Sequence, residues 1–114
     1  MKKPASLILT EAADLLEPEG AWVQRSFAKG PEGQSYPQPE AECSWCALGA
    51  ILKASGGVRA AAGGYHDAVL FLRQVHGFQH TVFWNDAPDR TQAEVVQAIR
   101  DAAALALEKE NPNG

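Results

Sequence analysis

The sequence predicts a mainly α-helical fold, a compact four-helix domain with room for a small β-hairpin between helices 1 and 2. Three observations predict it: apolar residues recur at helical spacing in four segments, a capping box precedes the longest of them, and strand patterns are scarce. At 114 residues with 46% hydrophobic residues, the chain is long enough to bury one core. We expect a single domain over residues 1–114 with a frayed tail at 110–114.

The first helix is predicted over residues 5–17, because its apolar residues form one stripe and Pro18 follows it. From position 22, one set of residues alternates with another, which suggests a short strand: Trp22, Gln24 and Ser26 alternate with Val23, Arg25 and Phe27. The segment KGPEG comes directly afterwards and is typical of a turn. Together they predict the small hairpin.

The middle of the chain predicts two more helices, over residues 44–55 and 65–76. Gly77 is expected to cap the third helix in the left-handed conformation, which glycine adopts without steric cost. The segment FQHTVFW at 78–84 is short and apolar. It is predicted to be either a buried strand or an ordered connector.

The last helix has the strongest local signal in the chain. Thr91 followed by Glu94 is a capping box, and apolar residues at helical spacing continue to position 106. Many of them are alanines, so a neighbouring helix is expected to approach closely.

Charge and targeting signals narrow the choice of partners. With 14 acidic against 10 basic residues the net charge is −4, which disfavours a generic binder of the phosphate backbone of nucleic acids. The apolar run at positions 7–9 is too short for a signal peptide or a membrane span. We therefore expect a cytoplasmic protein with reduced thiols and no nucleic-acid or membrane partner.

Both cysteines lie in the segment CSWC, and two cysteines at this spacing occur in redox sites and in metal-binding sites. A pair at a helix start favours thiolate, but the acidic residues upstream oppose it and no βαβ pattern precedes Cys43. Cys43 and Cys46 with His76 and His80 would give four zinc ligands, but the long gap between the two halves is unlike a zinc finger. We expect no metal and no cofactor.

Nucleophilic catalysis is a further alternative, because Cys46 begins the chain order Cys–His–Asn of papain-like hydrolases. The other members would come from His66, His76, His80, Asn85 and Asp86. Against it, such a histidine is normally carried on a strand, and this chain predicts little sheet. Asn85 and Asp86 are also explained as builders of the turn into the last helix, with Arg90 paired to Asp86.

Aromatic residues at the ends of the predicted elements favour binding. The three tryptophans are predicted to form a core cluster, and any of them that is exposed would become an anchor for a partner. The candidate binding residues are Trp22, Tyr36, Trp45, Trp84, Asp86 and Arg90.

Four short motifs carry a family resemblance: WVQ from position 22, WCALGA from 45, WND from 84 and RT from 90. In this order they resemble a family of small uncharacterised proteins of bacteria and their phages, over nearly the whole chain. The resemblance implies a fold and a bacterial or phage origin, and no reaction. It places Cys46 on the family motif and leaves Cys43 outside it.

The function expected from the sequence is a non-enzymatic, cytoplasmic module that binds another protein. For a phage-associated protein, inhibition of a host enzyme or defence complex is the expected role by analogy of setting. No catalytic residue is favoured, and self-association stays open. The alternative is a thiol-dependent hydrolase that uses Cys46.

Overall fold

The computed structural model describes residues 3–26, 28–30, 44–56 and 64–111. The helices of these segments, which make up 64% of them, confirm the mainly α fold. They are α1 (Ala5–Leu16), α2 (Ala47–Ala54), α3 (Tyr65–His76), α4 (Thr81–Asn85) and α5 (Gln92–Glu110). Strands β1 (Ala28–Lys29) and β2 (Ser44–Trp45) lie between α1 and α2. The sequence predicts four helices, whereas the described residues contain five, and the additional helix is α4.

Helix α1 lies at the centre of the bundle, in contact with α2, α3 and α5. It is buried along most of its length, because Ile8, Leu9 and Leu16 are fully enclosed together with its alanines. Burial of each such side chain stabilises the fold by roughly 1.5–3 kcal/mol. In the part of the chain described here, no helix has both the length and the apolar character needed to cross a bilayer.

Helix α2 begins at Ala47, three residues later than the sequence predicts. The reason is the pairing of β2, whose residues Ser44 and Trp45 align antiparallel with β1. The Trp45 backbone also binds the segment after α1: its N–H donates to the Ala21 carbonyl at 2.8 Å, and its carbonyl accepts from the Val23 N–H at 3.0 Å. A small antiparallel pair between α1 and α2 is therefore present, one that starts at residue 28 instead of 22.

The predicted ends of α3 and α5 are confirmed. Gly77 has a φ of 78° and closes α3, and its N–H donates to the Arg73 carbonyl. At α5 the Thr91 N–H donates to Glu94 Oε1 at 2.9 Å, while Thr91 Oγ1 accepts from the Glu94 N–H at 3.2 Å. Both halves of the capping box are thus formed.

The segment 78–84, predicted as a strand or connector, contains most of α4. Thr81, Trp84 and Asn85 are buried, while Val82 and Phe83 face solvent. Burial at positions i, i+3 and i+4 is the helical pattern, compressed here into a single turn. Residues of this composition favour strands, so packing against α2 and α3 decides the conformation.

Candidate functional site

Asn85, at the end of α4, joins segments that are far apart in the sequence. Its Oδ1 accepts from the Trp22 indole N–H at 2.7 Å and from the Ala47 backbone N–H at 2.9 Å. Its Nδ2 donates to the Val23 carbonyl at 3.1 Å and to Asp86 Oδ1 at 2.9 Å. The side chain is 2% exposed, and these four bonds satisfy its amide. Asn85 is thus a structural junction without a free polar atom.

Residues 24 and 25 extend this junction on the same side of α4. Gln24 Nε2 donates to the Asn85 carbonyl at 3.0 Å and to the Ala87 carbonyl at 2.9 Å. The Arg25 backbone N–H donates to Asp86 Oδ1 at 2.9 Å. Arg25 has a φ of 66°, a left-handed conformation that costs a non-glycine residue about 1 kcal/mol. The turn role expected for Asn85 and Asp86 is wrong in its partners, because the backbone N–H groups that bind these side chains are those of Ala47 and Arg25, in distant segments.

Trp84, which is also on the buried side of α4, is held by a different set of partners. Its ring stacks on His76 with 4.6 Å between the ring centroids, and the Arg90 guanidinium lies 5.2 Å from its centroid. Arg90 Nε also donates to the Trp84 carbonyl at 2.9 Å. The expected pairing of Arg90 with Asp86 is not formed, because Arg90 instead lies 3.6 Å from the Glu94 carboxylate.

Both ring nitrogens of His76 are engaged in this cluster. Nδ1 accepts from the Phe78 backbone N–H at 3.0 Å, so the proton of the neutral ring sits on Nε2, which is 3.0 Å from Thr81 Oγ1. Burial lowers the pKa of His76 to about 4, and the nearby charges of Arg73 and Arg90 add to this. His76 is therefore neutral at physiological pH and has no nitrogen free to act as a base.

Cys46 is the N-cap of α2 and is buried. Its sulfur accepts from the Gly49 backbone N–H at 3.4 Å. Burial raises the pKa of the Cys46 thiol, and this outweighs the N–H groups of Gly49 and Leu48 that favour thiolate; the Asp86 charge raises it further. The α2 terminus therefore does not activate this thiol.

No histidine is brought to Cys46 within the described residues. His66 is exposed and its ring lies against Tyr65, while exposed His80 lies against Phe83. The same residues contain no group of three histidine, cysteine, aspartate or glutamate side chains suited to a metal ion. Cys43, the other cysteine of the zinc set that the sequence disfavours, lies outside the described part of the chain. The described residues therefore form neither the Cys–His–Asn arrangement nor the zinc site.

Two of the three tryptophans belong to the core. Trp45 is 6% and Trp84 is 4% exposed, so neither is a surface anchor, and Trp22 is half-buried through its bond to Asn85. The Trp45 indole nitrogen is the one buried side-chain polar atom without a hydrogen-bond partner in the described segments. Tyr36 lies outside these segments. The predicted aromatic anchors are thus mostly part of the scaffold.

Apolar side chains on α4 and shortly before it face solvent. Phe78 is 41%, Val82 is 47% and Phe83 is 64% exposed. We call these three residues the α4 surface. An apolar run is normally interpreted as buried, so only the helical turn of α4 reveals which side chains point outward.

A pocket adjoins the α4 surface and shares Val82 with it. Its volume is about 200 Å³, and we call it the α4 pocket. Leu48 and Val82 form apolar walls, and the polar lining comes from the junction described above. The lining residues are Arg25, Ser26, Cys46, Leu48, Val82, Asn85 and Asp86.

A second apolar depression lies on the far side of the bundle, between α1 and α5. Exposed Leu7 and Leu107 flank a floor that includes Ala103 and Ala104. Its one charged lining residue, Arg100, is paired with Asp14 at 3.0 Å.

Comparison with known proteins gives one match. A model described as "Family of unknown function (DUF6197)" matches residues 1–105, which include the Asn85 junction and the α4 surface. No curated protein and no solved structure matches the chain. An uncharacterised family is therefore confirmed, and a bacterial or phage origin stays a prediction.

Proposed function

We propose a function for this chain, which belongs to the DUF6197 family of unknown function: it is a non-enzymatic module that binds a protein partner at the α4 surface and the α4 pocket. The observation that carries this proposal is the position of Phe83. Phe83 is a largely exposed aromatic side chain on α4, and the residue before it, Val82, helps to line the α4 pocket.

The distribution of exposed apolar groups supports this location. Six large apolar side chains are exposed among the described residues, and three of them lie between positions 78 and 83. Single exposed side chains are normal on a protein surface, whereas exposed apolar groups concentrated in a short segment that also lines a pocket are typical of binding sites. Aromatic anchors of this kind provide most of the energy of many interfaces.

The rigidity of the site supports binding as well. The inner side of α4 is fixed by the Asn85 junction, and its Trp84 is stacked on His76. A surface that is already ordered loses less conformational entropy when a partner docks. The Asn85 junction thus holds α4 in place, and the solvent-facing side of α4 contacts the partner.

The alternative function, a thiol-dependent hydrolase using Cys46, lacks support from this geometry. Its candidate nucleophile is buried with a raised pKa, and Asn85 has no free amide atom.

In a cytoplasmic bacterial or phage setting, we propose that the module inhibits a host enzyme or defence complex by covering part of it.

A selection that assumes no partner tests the proposal. A random peptide library displayed on phage is panned against the wild-type chain, and recovered clones are then assayed on two variants. Phe83→Ser removes the main anchor, and Leu70→Ser is the matched control, since Leu70 is 52% exposed on α3. We expect clones that bind the wild type and Leu70→Ser, and that lose roughly tenfold or more in affinity on Phe83→Ser.

Clones that bind all three proteins equally would place the binding site elsewhere and contradict the proposal. Circular dichroism of both variants controls for folding. Because Phe83 and Leu70 are both solvent-exposed, the spectra of the two variants are expected to match the spectrum of the wild type.

A further inference from the structure

We propose that the α4 surface takes a second copy of this chain, in a symmetric dimer in which Phe83 of each copy enters the α4 pocket of the other. The inference rests on the proposed function of the α4 surface and names its partner. It follows from three features of the described residues: an exposed phenyl group on α4, a pocket large enough for it that Val82 of the same helix lines, and opposite charges among the lining residues of that pocket.

The size of the α4 pocket fits the phenyl ring of Phe83. A cavity of roughly 150 Å³ accepts benzene, so the α4 pocket of about 200 Å³ has room for a phenyl group. Leu48 and Val82 supply the apolar walls that such a group requires. In a two-fold contact both copies use the same surface, so in the proposed dimer the exposed ring of each copy fills the pocket of the other.

The charges of the rim also fit a second copy. Arg25 is exposed and forms no ion pair with another described residue, and Asp86 lies on the same pocket. In the proposed dimer, Arg25 of each copy lies close to Asp86 of the other copy, so the two-fold axis gives two such charge pairs. A partner of a single charge sign would match only one of these groups.

The same rim gives an anionic membrane surface little net attraction, because Asp86 would repel lipid phosphates where Arg25 attracts them. A concave pocket also suits one inserted side chain better than a flat bilayer. The overall charge of −4 opposes self-association only weakly at physiological salt, where screening acts over about 8 Å.

The dimer is expected to be weak, since each copy contributes three apolar side chains and one pocket. Two phenyl groups are buried per dimer, so their loss should raise the dissociation constant by roughly 100-fold or more. A heterologous partner with a better anchor would compete for the same surface. A peptide selected at the α4 surface should therefore dissociate the dimer.

Sedimentation velocity over micromolar to millimolar concentrations tests the dimer. The wild type and Leu70→Ser should pass from monomer to dimer in the same concentration range, while Phe83→Ser should stay monomeric. Arg25→Glu and added sodium chloride should each weaken the dimer, because both remove the charge pairing.

A wild type that stays monomeric throughout would overturn the second copy as occupant, while the peptide selection still decides the α4 surface itself. A dimer that Phe83→Ser leaves intact would overturn the proposed geometry. Flotation with vesicles of phosphatidylcholine and phosphatidylglycerol provides the membrane arm. Vesicle binding that Phe83→Ser abolishes would replace the second copy with a lipid surface.

Discussion

Replacement of Asn85 by aspartate is expected to lower the free energy of unfolding by about 3–5 kcal/mol. The new carboxylate cannot donate, so the Val23 carbonyl loses its partner and Asp86 Oδ1 faces a second acid where the Asn85 amide now donates. The charge would also be buried, since the side chain is 2% exposed. Urea unfolding followed by circular dichroism measures the loss.

Gln97→Glu is the matched control for this prediction. It makes the same change from amide to acid at an exposed position on α5, where Gln97 Nε2 donates to Asp101 Oδ1 at 2.9 Å. Exposed like charges one helical turn apart cost only about 0.5 kcal/mol. If Asn85→Asp cost no more than the control, the Asn85 junction would not be what holds α4 in place.

Cys46 is expected to react with a disulfide reagent at neutral pH roughly 100-fold or more slowly in the folded chain than in urea. Burial both hides the sulfur and raises the pKa of the thiol, so little thiolate is present and little of it is reached. The measurement uses Cys43→Ser, so that Cys46 alone reports. The rate of release of the reagent's chromophore gives the result.

A cysteine introduced by Thr10→Cys, in a chain whose native cysteines are both replaced, provides the exposed reference. Thr10 faces solvent on α1, so its replacement should react nearly as fast folded as unfolded. A folded Cys46 that reacts as fast as this reference would show a reachable thiolate. The hydrolase alternative would then return.

The parts of the fold that can be predicted from the sequence are those with local causes. Gly77 ends α3 and Thr91 opens α5 because the cap chemistry lies within a few residues. Helix α4 cannot be predicted in this way. It has a single turn, its residues favour strands, and its conformation depends on α2 and α3. The late start of α2 has a similar cause, since β2 pairs with a distant strand.

In the candidate site, too, the features that depend on distant segments could not be predicted from the sequence. Asn85 is predicted to bind N–H groups of the turn before α5, but it ends α4 instead, and its partners Trp22 and Ala47 are too far away in sequence to be inferred. Exposure of Phe83 could not be predicted either, because neighbouring residues of the same apolar run are buried. Which side chains of a one-turn helix face outward is decided by packing alone.

Binding at the α4 surface is tested most directly by amide spectra of the ¹⁵N-labelled chain, titrated with a peptide selected from the library. The largest shifts are expected in three segments that meet around the α4 pocket: 22–26, 46–48 and 78–86. Shifts centred instead on Leu7 and Leu107, in the depression between α1 and α5, would contradict docking at α4.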